Sequence, residues 1–184
     1  MVHQVVLIST ALLMGFALLG VVDAVYFHFW KYNLHTHLQS IYEHKLHTIR
    51  SIAFPVIVYF LYSQNFGGAY LWFGAFAVGV DLIALGLDVV AEFDSRENIG
   101  GLPRTESLIH IFANGLHFAS IALILSIKPA SAWLYSSEIL LDGSYPWFTV
   151  SVAKVLIAGG SLVALTHIGY WWRYRSLETV GEAI

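Results

Sequence analysis

Five apolar stretches recur along the chain, at about 4 to 29, 46 to 63, 68 to 92, 106 to 127 and 148 to 172. Each is long enough to cross a hydrocarbon core of roughly 30 Å as a helix, and none alternates with the period of two that barrel strands need. The pattern predicts an all-α fold, an integral membrane bundle of five transmembrane helices. Short connections and the lack of repeats or low-complexity sequence make 1–184 a single transmembrane helical domain. The first stretch follows Met1, Val2, His3 and Gln4, with no Lys or Arg, and outruns a signal-peptide core, so it reads as a retained helix.

Polar punctuation sets the boundaries. Ser63 to Gly68 reads as a tight turn between the second and third helices. The 93–105 loop carries Gly100, Gly101 and Pro103, with Thr105 as the expected N-cap of the fourth helix. Segment 128–147 holds Trp133, Tyr135, Tyr145 and Trp147, residues suited to an interfacial aromatic belt, as are Trp171, Trp172 and Tyr174 at the other face. Gly159 and Gly160 allow a close helix contact without naming its partner.

Inside the third and fourth stretches, polar residues form mirror-image ladders. Asp81, Asp88 and Glu92 are spaced by seven then four, and Glu106, His110 and His117 by four then seven. Both spacings return to one face of a helix. An antiparallel hairpin would set Glu92 level with Glu106, Asp88 with His110, and Asp81 with His117. Glu43 and His47 repeat the Glu-x-x-x-His spacing of Glu106 and His110 on the second helix, and His44 with His47 gives another pair on one face. Asp23 and His28 stand near the inner end of the first helix, and His167 near that of the fifth.

Composition agrees with the pattern: 58% of residues are hydrophobic and only 11% charged, far too apolar for a soluble domain of this length. Cysteine is absent, which excludes disulfides, thiolate ligands and cysteine-bound iron–sulfur clusters. The net charge of −3 does not point to nucleic acid. Its distribution orients the chain. Lys31, Lys45, Arg50, Arg96, Arg104, Arg173 and Arg175 fall on one side, and Lys128 and Lys154 on the other. The positive-inside rule then puts the N-terminus outside, the C-terminus in the cytoplasm, and the polar ladders in the cytoplasmic half.

A charge deep in a bilayer costs at least ~2.5 to 3.5 kcal/mol, so a group of them requires mutual compensation. A divalent metal would supply it, turning carboxylate repulsion into coordination and holding imidazoles neutral. The expected ligands are Glu43, His47, Asp88, Glu92, Glu106 and His110, with His44, Asp23 and His28 next. Asp81 and His117 lie about 10.5 Å deeper than Asp88 and His110. With Arg50 and Asn114 they are expected to support the ligands or carry protons, Arg50 pairing with Glu43 or Asp88. His35 and His37 read as exposed loop residues, and His3 as incidental.

The run from Asp23 through Tyr26, His28, Lys31, Leu34 and His35 to Glu43-His44-x-x-His47-Thr48-x-Arg50 resembles an uncharacterised family of small bacterial multi-helix membrane proteins. So does the run Asp88-x-x-x-Glu92-x-x-Ser95-Arg96, Gly100-Gly101-Leu102, Glu106 and His110. The resemblance spans about residues 23 to 117 and implies a membrane bundle in a bacterial plasma membrane without implying an activity. More loosely, His44-x-x-His47 is similar to the boxes of membrane di-iron hydroxylases and desaturases, but the doubled histidines and repeated boxes are missing.

These readings converge on a membrane metalloprotein with a di-metal site. Di-iron fits the mixed carboxylate and histidine ligands first, with manganese or zinc as alternatives. The expected activity is oxidoreduction of a lipid or other hydrophobic substrate, with the bilayer, an electron donor and further copies of the chain as partners. Alternatives are a zinc hydrolase assisted by Asp94 or Ser95, a metal transporter or sensor, and haem b held by His47 and His110 or by His28 and His117.

Overall fold

Seven-residue spacing separates the two faces of each helix before any packing is considered. On the third helix Phe76, Ile83 and Val90 face outward, while Ala77, Asp81, Ala84 and Asp88 are buried. That is the arrangement of a bundle with lipid as its outer solvent and polar groups inside. A computed structural model describes residues 1–32, 34, 37, 40–97 and 100–181, apart from the side chains of Phe29 and of residues 174–181. His35 and the side chains of Tyr174 and Arg175 lie outside the described residues.

The helices are α1 (Val2–Val22), α2 (Ile41–Val58), α3 (Gly68–Arg96), α4 (Arg104–Ser126) and α5 (Trp147–Gly181). All five elements are long and apolar enough to cross a membrane. Two widen at their ends. α1 continues as a π-helix over Asp23–Lys31, and α2, which carries Pro55 and so lacks one backbone donor, continues as a π-helix over Tyr59–Ser63. Several boundaries differ from expectation. α2 begins at Ile41 rather than 46, α3 runs on to Arg96, and α4 begins at Arg104 after Pro103 rather than at a Thr105 cap. The turn before α3 forms as expected, with Gly68 at φ +55°, where a side chain would be strained.

The extensive helix pairs are α1 with α4, α2 with α3, and α2 with α5, with a lighter α1–α5 contact. The expected α3–α4 hairpin is therefore corrected: these helices are not a closely packed pair, and their polar ladders meet through side chains across the interior. Gly160 answers the question of its partner, because a β carbon there would lie 2.8 Å from Phe54 of α2. Close α2–α5 contact thus requires a residue without a side chain.

Two interiors result. Toward the face holding the N-terminus, Val6, Leu13, Ile57, Leu61, Leu71, Ile121 and Ile124 form an apolar core. Toward the opposite face Glu43, Asp88, Glu92, Arg96 and Glu106 are buried among Phe27, Leu34, Ile41 and Leu46, with His28, His47 and His110 partly buried beside them. Tyr145, expected in an aromatic belt, turns inward and is buried, whereas Tyr135 and Trp147 are exposed.

Candidate metal centre

Four elements bring donors into one region of the bundle. The π-helix contributes Asp23 and His28, α2 contributes Glu43 and His47, α3 contributes Asp88 and Glu92, and α4 contributes Glu106 and His110. The first pair depends on helix type. Residues five apart diverge by about 140° on an α-helix of 3.6 residues per turn. The i→i+5 bonding of a π-helix brings them back to one side, and His28 Nε2 lies 3.5 Å from Asp23 Oδ2.

The donors fall into three overlapping groups, each with its ligand atoms within 4.8 Å of one another: Asp23, His28, Glu106 and His110; His28, Glu43 and His47; His47, Asp88 and Glu92. Nitrogen or oxygen ligands on opposite sides of one ion lie about 4.2 Å apart, so each group is close to the size of a coordination sphere. His28 and His47 each belong to two groups. Glu43 Oε1 lies between them, 4.0 Å from His28 Nε2 and 3.7 Å from His47 Nε2.

Several close approaches are not hydrogen bonds. His47 Nε2 is 3.2 Å from Asp88 Oδ1, and His110 Nδ1 is 2.7 Å from Glu92 Oε1. Yet His47 Nε2, Asp88 Oδ1 and His110 Nδ1 have no hydrogen-bond partner among the described residues, and neither do His28 Nε2 and Glu106 Oε2. Buried polar atoms are normally paired. Here the five unpaired atoms belong to residues of the three donor groups, a pattern that a bound ion would satisfy.

Two arginines flank this set. Arg96, fully buried at the end of α3, forks onto Glu43 at 2.6 and 3.1 Å and donates to Glu106 at 2.5 Å. Ser95 also donates to Glu43. Deeper in the bundle Arg50 donates to Asp81 at 3.1 Å, Asp88 at 3.3 Å and Asn114 at 2.6 Å. His117 completes that layer at 3.1 Å from Asp81, with its ring against Phe16.

Eight of the nine expected ligands therefore come together, and His44 does not join them. It stacks on His167 of α5, ring centroids 4.7 Å apart, with Tyr170 beside it. The ladder register is also corrected. Asp81 meets His117 as expected, but Glu92 meets His110 rather than Glu106, and Asp88 meets His47 and Arg50. Arg50 pairs with Asp88 and not with Glu43. The π-segment supplies the missing partner for α4, since Asp23 Oδ1 is 3.0 Å from His110 Nε2. Asp94 is exposed, and His37 is partly exposed.

By sequence Arg96 reads as a loop cation because the apolar run ends at Glu92, four residues before α3 does; the excess of carboxylates over partners on the buried faces is the signal that points to it. No family model matches the chain, and no curated protein or solved structure matches it either.

Proposed function

We propose that the protein is a membrane metalloprotein whose Asp23, His28, Glu43, His47, Asp88, Glu92, Glu106 and His110 hold a dinuclear centre. The observation that carries this reading is the chain of three donor groups joined through His28 and His47. Charge supports it. Asp23, Glu43, Asp81, Asp88, Glu92 and Glu106 are offset by Arg50 and Arg96, which leaves four formal negative charges when the imidazoles are neutral. Two divalent ions carry the opposite charge.

Iron is the best match to this donor set, with manganese next and zinc less selective. Bound there, iron would supply redox chemistry toward a lipid or another hydrophobic substrate, with electrons from a separate donor. The chain's own contribution is orientation. Arg50 fixes Asp81 and Asp88, Asn114 holds Arg50, and the apolar core excludes water from one side. Carboxylates lie among the rings of His28, His47 and His110, where haem would need an apolar slot. By the distribution of Lys and Arg, the site lies at the cytoplasmic side of a plasma membrane.

A second reading has its own observation. The fork from Arg96 onto Glu43 is a complete charge-assisted pairing, and it suits a purely structural network. Elemental analysis and an optical spectrum of protein purified with its native metals separate the two. About two irons per chain without a Soret band is the expected result, and Glu106→Ala or His110→Ala should lose stoichiometric metal while still inserting. One zinc per chain moves the reading to a hydrolase. Metal-free protein from independent preparations, or wild-type metal in both variants, defeats the ligand assignment.

A further inference from the structure

The three donor groups are not alike. The first draws Asp23 and His28 from the π-helix and Glu106 and His110 from α4, which makes four donors. The third draws His47 from α2 with Asp88 and Glu92 from α3, which makes three, and it shares no residue with the first. Glu43 is the one member that belongs to the middle group alone, with Oε1 4.0 Å from His28 Nε2 and 3.7 Å from His47 Nε2. Two ions held by the outer groups would therefore have Glu43 between them.

Each outer group contains a carboxylate that an arginine has divided. Arg96 donates to Glu106 Oε1 at 2.5 Å, and Oε2 has no hydrogen-bond partner among the described residues. Arg50 donates to Asp88 Oδ2 at 3.3 Å, and Oδ1 is left in the same state. Glu106 is 0% exposed and Asp88 1%. A buried acceptor without a partner keeps its full desolvation penalty, and a cation beside it offsets that penalty. One such oxygen is available to each of two ions, and each is fixed by its own arginine.

The groups differ in completeness. Four donors fill a tetrahedral sphere, whereas a site with three protein ligands keeps a position for a ligand from outside. A bridging Glu43 would add one donor to each ion and leave this difference as it is. Asp88 and Glu92 are buried and His47 is only partly exposed, so the position admits a small ligand and not a bulky one. We infer that the centre is asymmetric: the first group is filled by protein donors, and the third, His47, Asp88 and Glu92, is where a small oxygen- or nitrogen-donor ligand reaches the metal. This inference rests on the dinuclear reading. It assigns the two positions different work, since only the second can take a reactant onto its ion.

The test is the ratio of bound azide to bound metal in full-length protein, purified in detergent with its native metals and oxidised in air. Elemental analysis counts the metal, and optical titration counts the azide. Wild-type protein should bind about half as many azide ions as it holds metal ions. Two variants locate the position without removing an arginine contact, because the ion-pair partners of Asp23 are His28 and His110 and that of Glu92 is His110. Asp23→Ala should lose about half the metal and keep azide binding, and Glu92→Ala should lose about half the metal and the azide binding with it. Azide on every metal ion of fully loaded wild-type protein, or on none, overturns the asymmetry and leaves the dinuclear reading standing. Azide binding that is equal in the two folded variants, including loss of all metal from both, overturns it as well. A single ion per chain, or none, defeats the dinuclear reading itself and this inference with it. The wild-type ratio needs no variant, so it decides the matter even where a substitution prevents folding.

Discussion

Arg96 joins carboxylates from the helices on either side of α3 in the sequence, Glu43 on α2 and Glu106 on α4. All three groups are buried, and removing one partner of a buried ion pair leaves the others with their full desolvation cost. Arg96→Ala is therefore expected to destabilise the fold by about 3 to 5 kcal/mol, read as a shift in denaturant or thermal unfolding in detergent. Arg96→Lys should recover little of this, because a lysine cannot supply the two-pronged contact to Glu43. Unfolding midpoints equal to wild type in both variants would remove Arg96 from the account. The same residue shows a limit of reading by type: an arginine next to a Gly-rich stretch looks like a surface cation until the helix is seen to extend over it.

At the scale of the element, the π-helix over Asp23–Lys31 is the part of the fold most tightly tied to the site. Its i→i+5 bonding is what puts Asp23 and His28 in the same donor group. Deleting Val25, which lies between them and points outward, should restore the spacing of four that an α-helix needs and keep the pair together. Inserting an alanine at the same place should separate them and lower bound metal. Elemental analysis of both length variants checks this, and equal metal in the insertion would show that helix type is irrelevant. The α3 and α4 ladders were legible in sequence because their spacings of four and seven fit an α-helix. The Asp23–His28 pair was legible only as two nearby polar residues, since its spacing of five fits no α-helical face.

Across the whole molecule, the charged interior and the apolar core sit at opposite ends of one bundle, and Lys128 marks the far edge of the core. It is 7% exposed, with Nζ donating to Asn65 at 2.8 Å and to the Phe66 carbonyl at 2.9 Å, and burial lowers it to about 8. The folded chain thus holds fewer protons at this group than the unfolded chain between about pH 8 and the ordinary lysine value near 10.4. Stability should rise with pH across that window, and Lys128→Met should flatten the rise in melting temperature. An unchanged slope in the variant would assign it to another group. Sequence alone determined that the chain is a five-helix membrane bundle, because apolar run length and the cost of buried charge are local properties of the chain. It also singled out the eight gathered donors, six of them through helical periodicity and shared depth, and Asp23 and His28 through depth alone. Only the tertiary structure decided which of them meet. Register, the π-helical widening of α1, the rejection of His44 and the capture of Arg96 all depend on which helices pack together, and that is settled by contacts between residues far apart in sequence.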